Sequence, residues 1–349
     1  MENKVCIYVE CAKGLEKSGV GRAARHQERV LDLMGIPYTR NIHDDFTILH
    51  VNTVFLRSYF VAKKAKRQGK PVIYHAHSTV EDFRNSYIGT NLIAPLFGWW
   101  IKKCYRLGDR ILTPTPYSRQ LLLNYGLTNP IVPISNGIDL QFFERNEKAG
   151  MDFRTAYGFR PDDKIVVSVG LYLERKGILD FVELAKRMPD VHFVWCGYSD
   201  LWTVPAKVRK AVRTDLPNLH FIGFVPQAVL RGAYSAASVF FFPTHEETEG
   251  IVLLEALASR TPVLVRDIPI YSEWLIDGVN CYKASTVDEM QQKLDAIINR
   301  RLPDLTEVGY AIAEERDVHK VGELLAEQYR LALEQVKERQ EKKQSTGSK

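Results

Sequence analysis

Ten short apolar runs, in two series of five, constrain this chain more than any other feature. VCIYVE (5–10), TILHVN (47–52), PVIYHAH (71–77), RILTPT (110–115) and IVPISN (131–136) make the first series. KIVVSVG (164–170), HFVWCG (192–197), LHFIGF (219–224), SVFFFPT (238–244) and TPVLVR (261–266) make the second. Longer amphipathic stretches separate them. GRAARHQERVLDLMG offers Ala23, Ala24, Val30, Leu31 and Leu33 for burial; ILDFVELAKRM, QAVLRGAYSAA and GIVLLEALAS read the same way. Strands alternating with helices at this rhythm imply βαβ units and a parallel sheet. The pattern lapses around 145–163 (ERNEKAGMDFRTAYGFRPDD), which reads as a linker. The expectation is therefore an α/β chain of two Rossmann-like, parallel-sheet domains, 1–150 and 151–318. A helical stretch follows from Asp304 to about Glu341. Its part from 319 to 349 is expected to form a helix packing back on the N-terminal lobe, ending in a frayed polar tail, KKQSTGSK.

Composition narrows the class. At 349 residues, with 45% hydrophobic and 26% charged residues, the chain is too ordinary for a fibrous or wholly disordered protein. Its longest apolar run, Leu92 to Ile101, is about half the roughly 20 residues that a spanning helix needs, and Pro95 and Gly98 interrupt it. The N-terminus lacks the order of a signal peptide. Cys6, Cys11, Cys104, Cys196 and Cys281 are odd in number, widely spaced and free of any CxxC, which argues against a disulfide framework or a zinc site and fits a reducing cytoplasm. Residues 1–150 carry 21 Lys and Arg against 13 Asp and Glu, a net +8, and the remainder carries −3. An anionic surface near the first lobe is the natural partner of that asymmetry. No nucleic-acid-binding module accompanies the basic residues.

The segment THEETEGIVLLEALASRTPVLVRD (244–267) concentrates the chemistry. A strand ends at Pro243 and Thr244, an acidic loop follows, and a helix starts near Gly250. In open α/β sheets ligands sit beyond the carboxyl ends of strands, where helix N-termini offer N–H groups to phosphates. Glu247 and Glu255 stand eight residues apart, and Glu255 is flanked by Leu253, Leu254, Ala256 and Leu257. A carboxylate on so apolar a helix needs a partner; ribose hydroxyls are one candidate, solvent exposure the plainer one.

EETEGIVLLEALASRTPVLV resembles the Glu-x7-Glu element of retaining GT-B glycosyltransferases, family 4 in particular, and the likeness extends through most of the chain. It implies two domains facing an interlobe cleft, with the nucleotide-sugar donor held mainly by the second. Ser18-Gly19-Val20-Gly21 matches the family's Gly-rich loop near the donor phosphates. His77 looks like the active-site histidine that contacts the transferred sugar. Asn136-Gly137-Ile138-Asp139 is similar to the turn "Asn-Gly-Val-Asp". In Gly170-Leu171-Tyr172-Leu173-Glu174-Arg175-Lys176-Gly177 the family's diphosphate lysine is Lys176, whereas its arginine position holds Leu171, leaving Arg175 to supply the charge. The resemblance gives Gly19, Gly21, Asn136, Arg175, Lys176, Gly250, Ile251 and Glu255 to donor binding, and His77 and Glu247 to catalysis. It implies no metal and no cofactor beyond the nucleotide sugar, whose usual carrier is UDP; Asp44-Asp45 and Asp162-Asp163 read as loop acids.

Two segments bear on the acceptor. RSYFVAKKAKRQGK (57–70) carries Lys63 and Lys64 near Tyr59 and Phe60. NSYIGTNLIAPLFGWWIKKCYR (85–106) carries Trp99, Trp100, Lys102 and Lys103. Aromatic and basic residues on one amphipathic helix suit an anionic membrane interface; a solvated cationic face is the alternative. HAHSTVEDFRNS and ETEGIVLLEALAS look like bacterial glucosyl- and diglucosyl-diacylglycerol synthases, which implies a lipid acceptor and a cytoplasmic enzyme held peripherally at the inner face of the membrane. A polysaccharide, teichoic-acid or protein acceptor, and a non-catalytic GT-B partner subunit, are the rival readings. The sugar and the oligomeric state are left open.

Overall fold

The computed structural model describes residues 3–15, 18–84 and 86–347. The chain divides into two compact units, and the division crosses the sequence more than once. The first unit takes Met1–Val80, Ile93–Gly137 and Arg316–Lys349; the second takes Glu81–Leu92 and Ile138–Glu315.

Each unit contains one six-stranded, all-parallel sheet. In the first, β1 (Val5–Tyr8), β2 (Tyr38–Thr39), β3 (Ile48–Val51), β4 (Val72–His75), β5 (Arg110–Thr113) and β6 (Ile131–Pro133) lie in the order β2-β1-β3-β4-β5-β6. Successive residues feed two separate cores. Cys6, Tyr8, Leu49, Val51, Val72 and Tyr74 point to one face, where Ala62, Ala65, Ile101, Cys104 and Leu122 cover them. Val5, Ile7, Ile48, Ile73 and Leu112 point to the other, under Val30 and Leu31 and under Val318, Val321, Leu325 and Tyr329. Apolar side chains on both faces explain why these strands read as continuous apolar runs rather than alternating ones.

In the second unit, β7 (Ile165–Val169), β8 (His192–Cys196), β9 (Leu219–Gly223), β10 (Val239–Phe242), β11 (Val263–Arg266) and β12 (Tyr282–Ala284) lie in the order β12-β11-β10-β7-β8-β9. The chain runs outward from β7 through β8 to β9, then returns to pair β10 with β7. The point of reversal, between the carboxyl ends of β7 and β10, is where ligands bind in open α/β sheets.

Three boundary expectations need correction. Residues 145–163 are not a bare linker: Glu147–Ala156 is a helix, with Asn146 as its N-cap accepting from Ala149 N at 2.8 Å. It packs on helix Gln227–Ala236 through glycines; a Cβ on Gly232 would lie 2.7 Å from Ala149 O. That close crossing places 138–150 in the second unit, so the first division falls at Gly137 instead of 150. The stretch from Asp304 is two helices, Thr306–Glu314 and Val318–Gly347, and the units divide between them. Helix continues through most of the tail expected to fray, and Ser348 and Lys349 lie outside the described residues. Finally, 81–92 folds with the second unit, for a reason given below. Among the described residues no helix is long and apolar enough to cross a membrane.

One glycine fixes the geometry at the reversal point. Gly177 has φ +77°, and a Cβ there would lie 2.3 Å from Pro243 O and 2.7 Å from Pro243 C. Only glycine lets the loop after β7 lie against the end of β10. Gly177→Ala is expected to cost about 3 kcal/mol from the clash together with the left-handed backbone. Urea unfolding reads the loss, and a variant as stable as the parent would contradict this packing.

Candidate active site

Two loops meet where the second sheet reverses. Past β7 the chain makes a short 3-10 turn, Glu174–Lys176; past β10 it runs through Pro243–Glu249 to the helix Ile251–Ala258. Thr244 Oγ1 donates to Arg175 O at 3.1 Å, and His245 N donates to the same oxygen at 2.7 Å, which ties the loops together. Gly250 caps the helix at φ +93°, and a Cβ there would press on the Phe242 ring at 3.2 Å. The first backbone N–H groups of that helix, at Ile251 and Val252, have no intrahelical acceptor. The Tyr271 hydroxyl, fully buried with no hydrogen-bond partner among the described residues, lies 3.5 Å from where a Gly250 Cβ would stand.

Across the loops Lys176 Nζ donates to Glu247 Oε2, and both side chains are nearly buried. Burial pushes the Glu247 carboxyl up. Lys176, Arg175 and the Thr248 amide, which donates to Oε1 at 3.2 Å, outweigh burial and hold it below its ordinary value. The carboxylate is thus ionised and paired. Glu246 next to it behaves oppositely: burial, then Asp82 and Glu81, raise it to about 7.

Arg175 is also engaged. Its Nη1 lies 2.9 Å from Asp82 Oδ1 and donates to Glu246 O at 3.3 Å, while Nε donates to Ser86 Oγ at 2.8 Å. These contacts, with Ile88 N donating to Thr203 O at 3.5 Å, join residues 81–92 to the second unit. Leu171 packs against the apolar core of that unit. Glu255 is placed inside the apolar helix, as its flanks imply. It is fully buried and its Oε2 accepts from Tyr234 OH at 2.7 Å, so a tyrosine on a neighbouring helix supplies the partner that the apolar sequence around Glu255 called for.

In the first unit one helix, Gly19–Leu33, gathers three of the expected segments. Ser18 caps it, its Oγ accepting from Gly21 N at 3.3 Å, and a Cβ on Gly19 would meet nothing within 4 Å. His26 Nδ1 lies 2.8 Å from Gly137 O, in the Asn136–Gly137 turn. Gln27 Nε2 donates to Asn52 Oδ1 at 2.8 Å and bonds His75 Nδ1 at 2.7 Å. Asn52 Nδ2 donates back to Gln27 Oε1 at 2.9 Å, and His77 Nε2 lies 2.8 Å from Asn52 Oδ1. With Asn52 so oriented, His77 carries its proton on Nε2 and keeps Nδ1 as an acceptor. The rings of His75 and His77 stack at 4.1 Å, and burial lowers the His77 imidazole to about 3.

The acceptor candidates sort by exposure. Trp99 is 54% exposed, and Lys103 Nζ sits 4.9 Å from its ring centroid. Lys63 and Lys103 both lie over Tyr59. Phe55, Leu56 and Phe60 are exposed on the same unit. Lys64 is exposed and Lys102 half-buried. Trp100 is corrected: it turns inward onto the core, and its Nε1 donates to Val54 O at 2.5 Å. Among the described residues no group of three or more His, Cys, Asp or Glu side chains is arranged to hold a metal ion.

Reading the sequence alone missed Asp82, Ser86, Glu246, Asn52, Gln27 and Tyr234. Asp82 and Ser86 stand in the quoted string HAHSTVEDFRNS, but nothing local signals that they reach Arg175, some 90 positions on.

Comparison with known proteins identifies the family. The model of "Glycosyl transferases group 1" matches residues 152–314, and that of "Glycosyltransferase Family 4" matches residues 17–142. The processive diacylglycerol alpha-glucosyltransferase of Acholeplasma laidlawii is 39% identical over 93% of this chain and 97% of its own. The alpha-galactosylglucosyldiacylglycerol synthase of Streptococcus pneumoniae is 24% identical over 72% of this chain and 70% of its own. Among solved structures, Anabaena HepE in complex with UDP and glucose superposes with a TM-score of 0.73 at 15% identity, covering 93% of this chain and 99% of that one. Family models on both sheet-bearing units, a near full-length relative and a shared fold lead to one statement: the chain belongs to the family 4 glycosyltransferases of the GT-B fold, among the glycolipid synthases.

Proposed function

We propose that the protein transfers a hexose, with retention of configuration, from a nucleotide sugar to a diacylglycerol-type lipid, and that UDP-glucose is the donor. The observation that carries this reading is the ionised Lys176–Glu247 pair at the reversal point of the second sheet, beside the open N-terminus of helix Ile251–Ala258. In the proposal, Lys176 and Arg175 neutralise the leaving diphosphate, together with the Gly250 and Ile251 amides, without a metal. Glu247 holds sugar hydroxyls and favours positive charge developing at the anomeric carbon. His77 offers Nδ1 to a sugar hydroxyl. Gly19, Gly21 and Asn136 are proposed to complete donor binding, and Glu255, oriented by Tyr234, to meet the ribose. The near full-length likeness to a diacylglycerol glucosyltransferase supports the lipid acceptor. Exposed Phe55, Leu56, Phe60 and Trp99, interleaved with Lys63, Lys64 and Lys103, support peripheral docking on an anionic membrane.

The test is a transfer assay with labelled UDP-glucose and UDP-galactose, and with diacylglycerol or monoglucosyl-diacylglycerol in anionic vesicles. Labelled glycolipid made from UDP-glucose is the expected result. Tight UDP binding with no labelled lipid would move the acceptor to a glycan or protein. Neither transfer nor nucleotide binding would point to a non-catalytic subunit.

A further inference from the structure

Arg175 occupies a site that its own loop does not build. Asp82 Oδ1 forms an ion pair with Nη1 at 2.9 Å and Ser86 Oγ accepts from Nε at 2.8 Å, both from the segment 81–92. The Glu246 carbonyl takes Nη1 a second time, at 3.3 Å. The guanidinium's other terminal nitrogen, Nη2, donates to no described group. The side chain is 13% exposed, so it is clamped on two of its three nitrogens without being sealed off. A planar guanidinium held in this way presents its remaining donors in a fixed direction, which is what recognition of a phosphate demands. We infer that Asp82, assisted by Ser86, is the positioning residue that aims Arg175 at the diphosphate of the nucleotide sugar, in place of the arginine replaced by Leu171. The inference rests on the reading of Arg175 as a diphosphate ligand.

Charge alone predicts the reverse. Asp82 stands with Glu81, Glu246 and Glu247 around the site, and removing one carboxylate from an anion-binding pocket should tighten anion binding. Positioning predicts weaker binding, because an unanchored arginine must be ordered by the ligand itself. The sign of the change therefore separates a clamp from a mere neighbouring charge.

The experiment compares UDP with uridine on the full chain: UDP by calorimetry, uridine by ligand-observed NMR. Asp82→Ala is expected to weaken UDP about tenfold, the loss of one charge-assisted contact, and to leave uridine unchanged. Asp82→Asn, which keeps the shape of the side chain and removes the charge that pairs with Nη1, is expected to weaken UDP in the same direction as Asp82→Ala, which separates lost pairing from lost packing. Combining Asp82→Ala with Arg175→Ala is expected to be no worse than Arg175→Ala alone. If Asp82→Ala binds UDP as tightly as the parent, or more tightly, while Arg175→Ala loses affinity, the positioning role is overturned. Equal losses for UDP and uridine overturn it too, since they report general damage. If Arg175→Ala itself binds UDP normally, it is the diphosphate reading of Arg175 that fails.

Discussion

Glu247→Gln is expected to lower transfer by roughly 100- to 1,000-fold while UDP binding holds or tightens. The variant keeps the shape of the side chain and removes only its charge. In the proposed mechanism that charge serves two partners in turn. With no donor present it pairs with Lys176, which holds it ionised despite burial. With donor bound, the lysine has a diphosphate to meet, and the carboxylate is free to face the positive charge that grows at the anomeric carbon. A glutamine cannot oppose that charge, and it also releases Lys176 from a competing partner before the donor arrives. The two effects fall on different constants: kcat drops, and the dissociation constant for UDP stays level or improves. Glu247→Ala is the poorer test, because a nearly buried lysine left without its partner costs about 3–5 kcal/mol and can unfold the site. Transfer by Glu247→Gln within threefold of the parent would remove Glu247 from catalysis.

Much of this site could be read from the chain because it lies within one contiguous string. Glu247, Gly250 and the helix that follows are fixed by local order: strand, acidic loop, left-handed glycine, helix. Lys176 was singled out only by the family resemblance, as the lysine of Gly170–Gly177 that matches the family's motif. What could not be read is every contact that closes over a distance. Arg175 and Asp82 are held together by a fold-level crossing, and no periodicity reports it. Glu255 shows the other limit. Its apolar flanks predict that the carboxylate requires a partner, but not that Tyr234 is one.

The fold divides in the same way. Ten strands were visible because burial on both faces makes them apolar throughout. The two that escaped, β2 and β12, have two and three residues and lie at sheet edges, too short to show a pattern. The helix Glu147–Ala156 escaped because it buries only Gly150 and Phe153 and otherwise shows water a charged face. A helix that packs through glycine has little apolar signature, so its segment reads as a linker.

Stability of the first unit is expected to fall steeply as the pH drops below about 6.5. Four of its histidines, His26, His50, His75 and His77, are buried and neutral. Burial lowers His26 to about 4, His50 and His77 to about 3, and His75 well below its ordinary value. Unfolding returns each to the ordinary 6.5. Between 6.5 and the folded values the unfolded chain binds more protons than the folded one, so acid favours unfolding. The stability is fully present above 6.5 and is lost as the pH falls through that window. Each histidine contributes a limiting slope of about 1.4 kcal/mol per pH unit, and four together about 5.5 per pH unit, against the roughly 5–15 kcal/mol that holds a typical domain folded. Carboxylates lowered by pairing, such as Glu247, act only near and below their ordinary 4.5, whereas Glu246 of the second unit, raised to about 7, opposes the histidines by about one proton's worth over the span from 6.5 to 5. The measurement is the urea midpoint at pH 7.5, 6.0 and 5.0, repeated for His50→Phe. His50 stacks on His75 at 5.5 Å and bonds Tyr329 OH at 2.8 Å, so phenylalanine keeps the ring while removing the titrating group and one hydrogen bond. That variant is expected to start less stable at pH 7.5 and to show a shallower decline, by about one proton's worth. A midpoint flat from pH 7.5 to 5.0 would mean that these imidazoles are not buried neutral, and the array of stacked and hydrogen-bonded rings from Tyr329 to His77 would have to be redrawn with charged rings in it.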